Sequence, residues 1–427
     1  MVIYDKSRKV FKLDTANTSY VMGVTEEGYL GNIYYGKKVD TTDLVYAMRT
    51  DEHPFTPSKM PGEKISFMDR FPMEYPFEGT GDSHGGCISI KDSKGQEGLE
   101  LKVKSHNIYA GKKGLKGMPS ARGGNTMSLD IVLSDEALGA EAVLSYSVYE
   151  ECDIITRSVK IVNISDTSFY ITKVLSACLN LETEVSDILS LHGAWARERH
   201  IQRSKISYGS YITESSRGEP GHQEHPFIAL LSENCNRETG SVYAMNLVYS
   251  GNFTVKVQKD QFDRTRVYIG INPERFCWKL GSGEEFEAPE VIIQYACEGI
   301  NSMTRNFHDF FRQYILPPEW VVAERPVLVN NWEATYFDFD DDKLVQIAEE
   351  ASGLGIEMLV MDDGWFGHRN SDNSSLGDWY ANREKIKGGL KDLADRINAL
   401  GMKFGIWFEP EMVSPDSDLF REHPDWI

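Results

Sequence analysis

The feature that most constrains this chain is a change of hydrophobic period near residue 300. Before it, apolar residues alternate with polar ones, as in LSYSVY (Leu144 to Tyr149), FTVKV (Phe253 to Val257) and VYIGI (Val267 to Ile271). Side chains on a strand alternate between faces, so this pattern buries one face and wets the other. Gly- and Asn-containing turns separate many such runs, and helical periodicity is scarce. The first 300 residues therefore predict a large antiparallel β-sandwich.

After residue 300 the period alternates. Met303, Phe307, Phe310, Phe311 and Tyr314 fall on one helical face, and Pro317-Pro318 ends that helix. Residues 301–324 are expected to form a connecting helix and linker. From residue 325 onward, PVLVNNW (Pro326 to Trp332), EMLVM (Glu357 to Met361) and MKFGIWF (Met402 to Phe408) read as short buried strands. Between them lie two helical stripes, Leu344, Ile347, Ala348, Ala351, Leu354 and Leu390, Leu393, Ala394, Ile397, Leu400, the second stopped by Gly401. Strands apolar on both faces and joined by helices indicate a parallel β-α-β-α-β sheet. The expected organisation is a sandwich over 1–300, the connector, and an α/β segment over 325–427.

Composition narrows the partners. Acidic residues outnumber basic ones 65 to 45, and the net charge of −20 argues against binding a phosphate backbone. The opening MVIYDKSRKV lacks the apolar core of a signal peptide, and no run of about 18 apolar residues occurs, so a cytoplasmic location without membrane association is expected. Six cysteines (87, 152, 178, 235, 277, 297) are scattered without a C-x-x-C pair, a spacing that fits free thiols better than disulfides or zinc.

Functional residues of a parallel sheet are expected just past the carboxyl ends of its strands. The three ends carry Asn330-Asn331-Trp332-Glu333, Asp362-Asp363-Gly364-Trp365 and Trp407-Phe408-Glu409-Pro410-Glu411. Each offers acidic or amide groups beside an indole. Carboxylates accept hydrogen bonds from sugar hydroxyls, while an aromatic face packs on the C–H face of a pyranose. At any single end, a turn with core tryptophans and solvated glutamates explains the residues equally well; three ends with the same residue classes favour sugar. Asp362 and Asp363 do not suit a catalytic pair, because a glycosidase needs its two carboxyls on opposite sides of the bond, roughly 5–5.5 or 6.5–9.5 Å apart. Adjacent residues enter from one side and are expected to grip hydroxyls. A divalent metal on Asp362, Glu409 and His368 would leave the tryptophans unexplained. His222-Gln-Glu-His225 reads as a polar loop, and the glycine-rich, basic run from Gly111 to Gly124 as a surface loop without P-loop context.

NNWEATYFDFD, VMDDGWFG, SLGDWYANREK and GLKDLADRINALGMKFGIWFEPEMVSPDSDLFREHPDW, with GAWARERHIQR and PGHQEHPFIALL upstream, resemble bacterial α-galactosidases of glycoside hydrolase family 36. The resemblance covers essentially the whole chain. It implies an N-terminal β-supersandwich followed by a TIM-type (β/α)8 barrel, of which this chain carries the first three strand-helix units. It implies hydrolysis, without a cofactor or metal, of terminal α-linked galactose in sugars such as melibiose and raffinose, by a homotetramer. On the matching positions, Asp362 and Asp363 are similar to the aspartates that hold galactosyl hydroxyls, and Trp332 and Trp407 to walls of the same pocket. Trp195 is similar to a tryptophan that reaches toward the barrel mouth, and Asp51 to a contact made across a subunit interface. One departure stands out: GTGDSHGG carries His84 where the family commonly has arginine, which puts in doubt any role of that arginine on the aglycone side.

The family's nucleophilic aspartate, in a Lys-x-Asp segment, and its acid/base aspartate are expected beyond Ile427. The chain alone is therefore expected to hold sugar without cutting it, and a galactose-binding or complementing fragment is the alternative. A self-sufficient enzyme pairing Asp362 with Glu409 is a further reading.

Overall fold

The computed structural model describes residues 1–51, 67–79, 81–182 and 185–426. Thr80 of the GTGD run and Ile427 lie outside the described residues. The chain divides into two compact units, Met1–Val321 and Val322–Ile427.

The first unit is built from antiparallel strands. Val2–Asp5, Val10–Asp14, Thr18–Val24 and Leu30–Lys37 form a four-stranded meander. A six-stranded sheet centres on the long strand Phe169–Leu181, paired with Thr265–Ile271, and a ten-stranded sheet centres on Ala140–Tyr149 paired with Ile154–Asn163. The three share one core, to which Phe11 and Tyr20, Leu175 and Ile269, and Leu144 and Ile293 contribute. The alternation in LSYSVY is realised, with Leu144, Tyr146 and Val148 in that core. VYIGI differs from expectation, since all of Thr265–Ile271 is buried. Its second face is covered by Phe71 and the 82–85 stretch: the Tyr268 hydroxyl donates to the carbonyls of His84 and Gly85, and Arg266 donates to Asp82 and to the carbonyl of Phe71.

The expected connecting helix forms as Gly299–Phe310, and widens into one π-helical turn over Phe311–Ile315. It docks on the strands instead of spanning a gap: Met303, Phe307 and Phe310 are buried against Tyr149, Leu231 and Ile292. Arg122 finishes it, donating from its side chain to the carbonyls of Gln313 and Ile315.

One charged cluster reaches all three sheets. Glu74 and Arg157 are fully buried and paired at 2.6 Å. The hydroxyls of Tyr20 and Tyr146 donate to Glu74 at 2.7 Å, and Arg157 also donates to the carbonyl of Cys178 in the six-stranded sheet. The departure His84 is buried as well. Its ring lies 2.8 Å from Asp82 and 3.3 Å from Asp260. Burial pushes the imidazole pKa down, but the hydrogen bonds to Asp260 and Asp82 outweigh burial and the repulsion from Arg266, and hold it above the ordinary value.

In the second unit, Leu328–Asn330, Met358–Met361 and Lys403–Ile406 form a parallel sheet in chain order. Helix Asp341–Gly353 starts at Asp340, whose carboxylate accepts from the Lys343 amide at 2.9 Å, with Asp341 and Asp342 in the first turn. Helix Gly389–Ala399 follows, and Gly401 adopts a left-handed φ of 79° just past it. Leu344, Ala348, Leu393 and Ile397 cover Leu359 and Met361 on one sheet face. The expectation of two buried faces needs correction. On the other face Leu328 is exposed and Met358 and Val360 are only half-buried, and among the described residues each outer strand has a single neighbour. Leu354, placed in the helical stripe, is exposed because the helix has already ended at Gly353. No described helix is long and apolar enough to cross a membrane.

Two outcomes follow for the first unit. Arg157→Met should cost about 3–5 kcal/mol in urea unfolding, because it strands a buried carboxylate. A raised histidine pKa stabilises fully below the unfolded value of about 6.5 and loses that contribution as pH climbs through the folded value. Asp82 and Asp260 have lowered pKa values, so their contributions fade only at acid pH. The urea midpoint should thus fall from pH 6 into the alkaline range, with a shallower slope in His84→Gln.

Candidate functional site

The carboxyl ends of the first two parallel strands meet at Asp362. Asn331 is fully buried and its side-chain oxygen accepts from the Asp362 amide at 2.8 Å. Asn330 donates from its side-chain amide to Asp362 Oδ2 and accepts from the Trp332 amide at 2.7 Å. The first strand end therefore sets both the backbone and the carboxylate of Asp362, which stays half-buried and accessible.

Asp363 takes the opposite course. It is buried, and Arg369 grips it through Nη2 at 2.8 Å and Nε at 3.0 Å. Arg369 is fixed in turn by donating to the carbonyls of Asp372 and Ser374. Lys385 closes the other side of this turn, donating to the carbonyls of Phe337 and Gly364. Burial lowers its pKa, an effect that the attraction of Asp363 and Asp338 only partly offsets. The two aspartates are thus unequal: one faces out, while the other is clamped but keeps acceptor capacity, since a carboxylate offers about four lone-pair positions.

Aromatic rings frame these groups. Trp332 is half-buried and packs edge-on against Tyr336 and Phe337. Trp365 is fully buried, and its indole donates to the Trp407 carbonyl at 2.9 Å, tying the second strand end to the third. Trp407 is half-buried. Gly364, with φ of 98°, turns the chain so that Trp365 can enter the core directly behind Asp363. Glu409 is half-buried, and its pKa is raised by burial first and then by Glu411 and Asp363, against the pull of Arg369. A hollow of about 210 Å³ lies alongside, lined by Trp379, Glu411, Met412, Phe420 and Trp426, and neither aspartate lines it.

Of the residues singled out from sequence, Trp332, Asp362, Asp363 and Trp407 come together at this sheet end. Trp195 and Asp51 lie in the first unit. Trp195 is 83% exposed at the turn between strands Asp187–Ala194 and Arg197–Lys205, and Asp51 pairs with Arg70 at 2.6 Å. His222 and Glu224 face different partners, Glu198 and His192. Asp362, Glu409 and His368 do not converge as metal ligands; the group that does among the described residues is Asp340, Asp341 and Asp342 at a helix start. Arg369 and Lys385 escaped notice, since loop cations separated from Asp363 by glycine turns carry no periodic signal.

Two family models match consecutive parts of the chain: the glycosyl hydrolase family 36 N-terminal domain over residues 28–281, and melibiase over residues 285–427. The bifunctional alpha-galactosidase/sucrose kinase AgaSK of Mediterraneibacter gnavus is 43% identical across the whole chain, which covers 46% of that protein. Alpha-galactosidase AgaA of Geobacillus stearothermophilus is 41% identical, again across the whole chain and 59% of the relative. Among solved structures, the galactosidase domain of AgaSK superposes with a TM-score of 0.93 over all of this chain and 60% of that one, at 43% identity. A variant of AgaA from Geobacillus stearothermophilus in complex with raffinose gives 0.91 over 98% of this chain and 59% of that one, at 41% identity. The chain spans about half the length of the curated relatives it matches. With both models matching end to end and the mostly-sheet architecture superposing throughout, this chain belongs to glycosyl hydrolase family 36.

Proposed function

We propose that this chain is the galactose-holding part of a retaining α-galactosidase acting on α-galactoside oligosaccharides. The observation that carries this reading is the accessible Asp362 carboxylate, set by Asn330 and Asn331 beside the clamped Asp363, at strand ends that also carry Trp332 and Trp407. The relatives are alpha-galactosidases, and AgaA variants have been solved with raffinose and with stachyose. In this reading the three parallel strands and their helices are the first units of a TIM-type (β/α)8 barrel. Their open face and free edges are the surfaces the remaining units would cover.

The reaction needs a carboxylate that attacks the anomeric carbon to form a glycosyl-enzyme, and an acid that protonates the departing oxygen and then activates water. Both are proposed to come from later strand ends of the full-length enzyme. Asp362 and Asp363 fix the galactosyl hydroxyls, so that the anomeric carbon is presented at a constant position. Trp332 and Trp407 cover the ring faces and exclude water. Trp195 and Asp51 are proposed to complete the pocket in the full-length homotetramer, in the cytoplasm. No cofactor or metal enters the reaction as proposed.

The purified 427-residue chain should show no hydrolysis of p-nitrophenyl α-galactoside, with intact mass confirming its C-terminus, yet should bind galactose saturably. Turnover abolished by Glu409→Gln would overturn this reading in favour of an Asp362–Glu409 pair. Asp362→Asn should weaken galactose binding roughly 10- to 150-fold, the loss of one hydrogen bond to a charged group. Arg369→Met should weaken it as well while leaving Asp362 in place, because an unclamped Asp363 no longer holds its orientation. Unchanged affinity in both variants would refute the assigned roles.

A further inference from the structure

The loop from Gly111 to Gly124 plays no part in the site above, yet it encloses space. It passes over the outer face of the ten-stranded sheet and leaves a cavity of about 130 Å³ beneath it, many times the roughly 10–15 Å³ that one water requires. The floor is an array of hydroxyls. Ser145 lies opposite Ser158, and Ser147 opposite Thr156, in register on the strands Ala140–Tyr149 and Ile154–Asn163. On an open sandwich these outward residues would be solvated. Here Ser147, Thr156 and Ser158 are each more than nine-tenths buried.

The walls are charged but neutralised from within. Lys112 pairs with Glu290 at 2.8 Å, both buried, and Lys113 pairs with Asp130 at 3.3 Å. Asp130 also accepts from the Ser145 hydroxyl at 2.8 Å, and Ser147 shares a hydrogen bond with Ser128 at 2.7 Å. Thr156 is likewise buried, beside Glu290.

These features select a ligand class. Paired charges give neither an anion nor a cation a net attraction. Hydroxyls that both donate and accept, set between carboxylate acceptors and ammonium donors, complement a molecule with the same dual groups. Leu115 and Val143 add apolar lining for C–H groups. We infer that this cavity is a second carbohydrate site, taking one neutral sugar ring by its hydroxyls, on the sandwich and independent of the strand-end aspartates. In a family acting on oligosaccharides, such a site would retain substrate or product near the enzyme without contributing to bond cleavage. It stands on the cavity alone and does not require the function proposed above.

Asp362→Asn weakens the strand-end site roughly 10- to 150-fold, so that tighter binding in this variant reads the cavity. Saturation-transfer NMR on that variant, with galactose and raffinose as probes, should show saturable binding. Thr156→Val with Ser158→Ala should weaken it roughly tenfold or more, the value of two neutral hydrogen bonds. Leu115→Trp, which fills the cavity from the loop, should abolish binding even if the double variant does not fold. Absence of binding in the Asp362→Asn chain would overturn the inference, as would binding indifferent to Leu115→Trp. Equal competition by glycerol or inorganic phosphate would also overturn it, by showing small-polyol or charge binding in place of ring recognition. Failure of the strand-end reading shows separately, as wild-type affinity unaltered by Asp362→Asn.

Discussion

Everything in the first unit hangs on a buried carboxylate that no water reaches. Glu74 gathers Tyr20 from the meander, Tyr146 and Arg157 from the ten-stranded sheet and, through Arg157, the Cys178 carbonyl of the six-stranded sheet. Desolvating two charges is expensive, and their attraction repays it only when the remaining donors and acceptors are also matched. Here Asn32 adds a further donor at 3.2 Å, and the guanidinium, whose Nε has no hydrogen-bond partner, lies over the rings of Tyr75 and Tyr146. A hydrophobic core alone would tolerate sliding of one sheet over another. A directional cluster with partners from all three sheets does not, so register is fixed where the layers meet.

The same device recurs at the candidate site on a smaller scale. Arg369 and Asp363 form a buried pair whose guanidinium is also held by two loop carbonyls. The pair fixes the turn that follows the central parallel strand, while Asn330 and Asn331 set Asp362. Neighbouring residues at a strand end point to opposite sides, so an adjacent pair of aspartates cannot be two equal fingers. Asp362 stays half-buried and accessible, while Asp363 is buried in the grip of Arg369. The accessible Asp362 carboxylate is held separately, accepting from the Asn330 side chain and from the Asp363 amide at 2.7 Å.

Periodicity carried most of the architecture. The alternating runs became strands, the apolar stripes became helices, and the three parallel strands fell where EMLVM and its counterparts lie. Trp332, Asp362, Asp363 and Trp407 were legible because position past a strand end is a sequence property. What periodicity could not carry was covering by distant chain. VYIGI alternates in sequence yet is buried on both faces, because Phe71 and the 82–85 stretch lie across it. The Met303 stripe reads equally as a linker or as a docked helix, and only the presence of Tyr149 and Ile292 opposite it decides. Glu74, Arg157 and Arg369 look like ordinary surface charges until their partners are known. The unequal roles of Asp362 and Asp363 depend on Arg369 six residues away across two glycines, a relation no period encodes.

His84 illustrates how one substitution can move a residue between functions. A guanidinium at that position could reach outward and hydrogen-bond a ligand while charged at every relevant pH. An imidazole is shorter, and here it is spent inward, bridging Asp82 and Asp260. Asp82 is simultaneously held by Arg266, and Asp260 by Arg264 at 2.7 Å, so the two carboxylates and the ring form one closed set of ion pairs. That set pins the segment which covers the second face of Thr265–Ile271. The position thus serves the packing of the sandwich in this chain, and any contact that a longer cation supplies elsewhere in the family must here come from another residue or be absent.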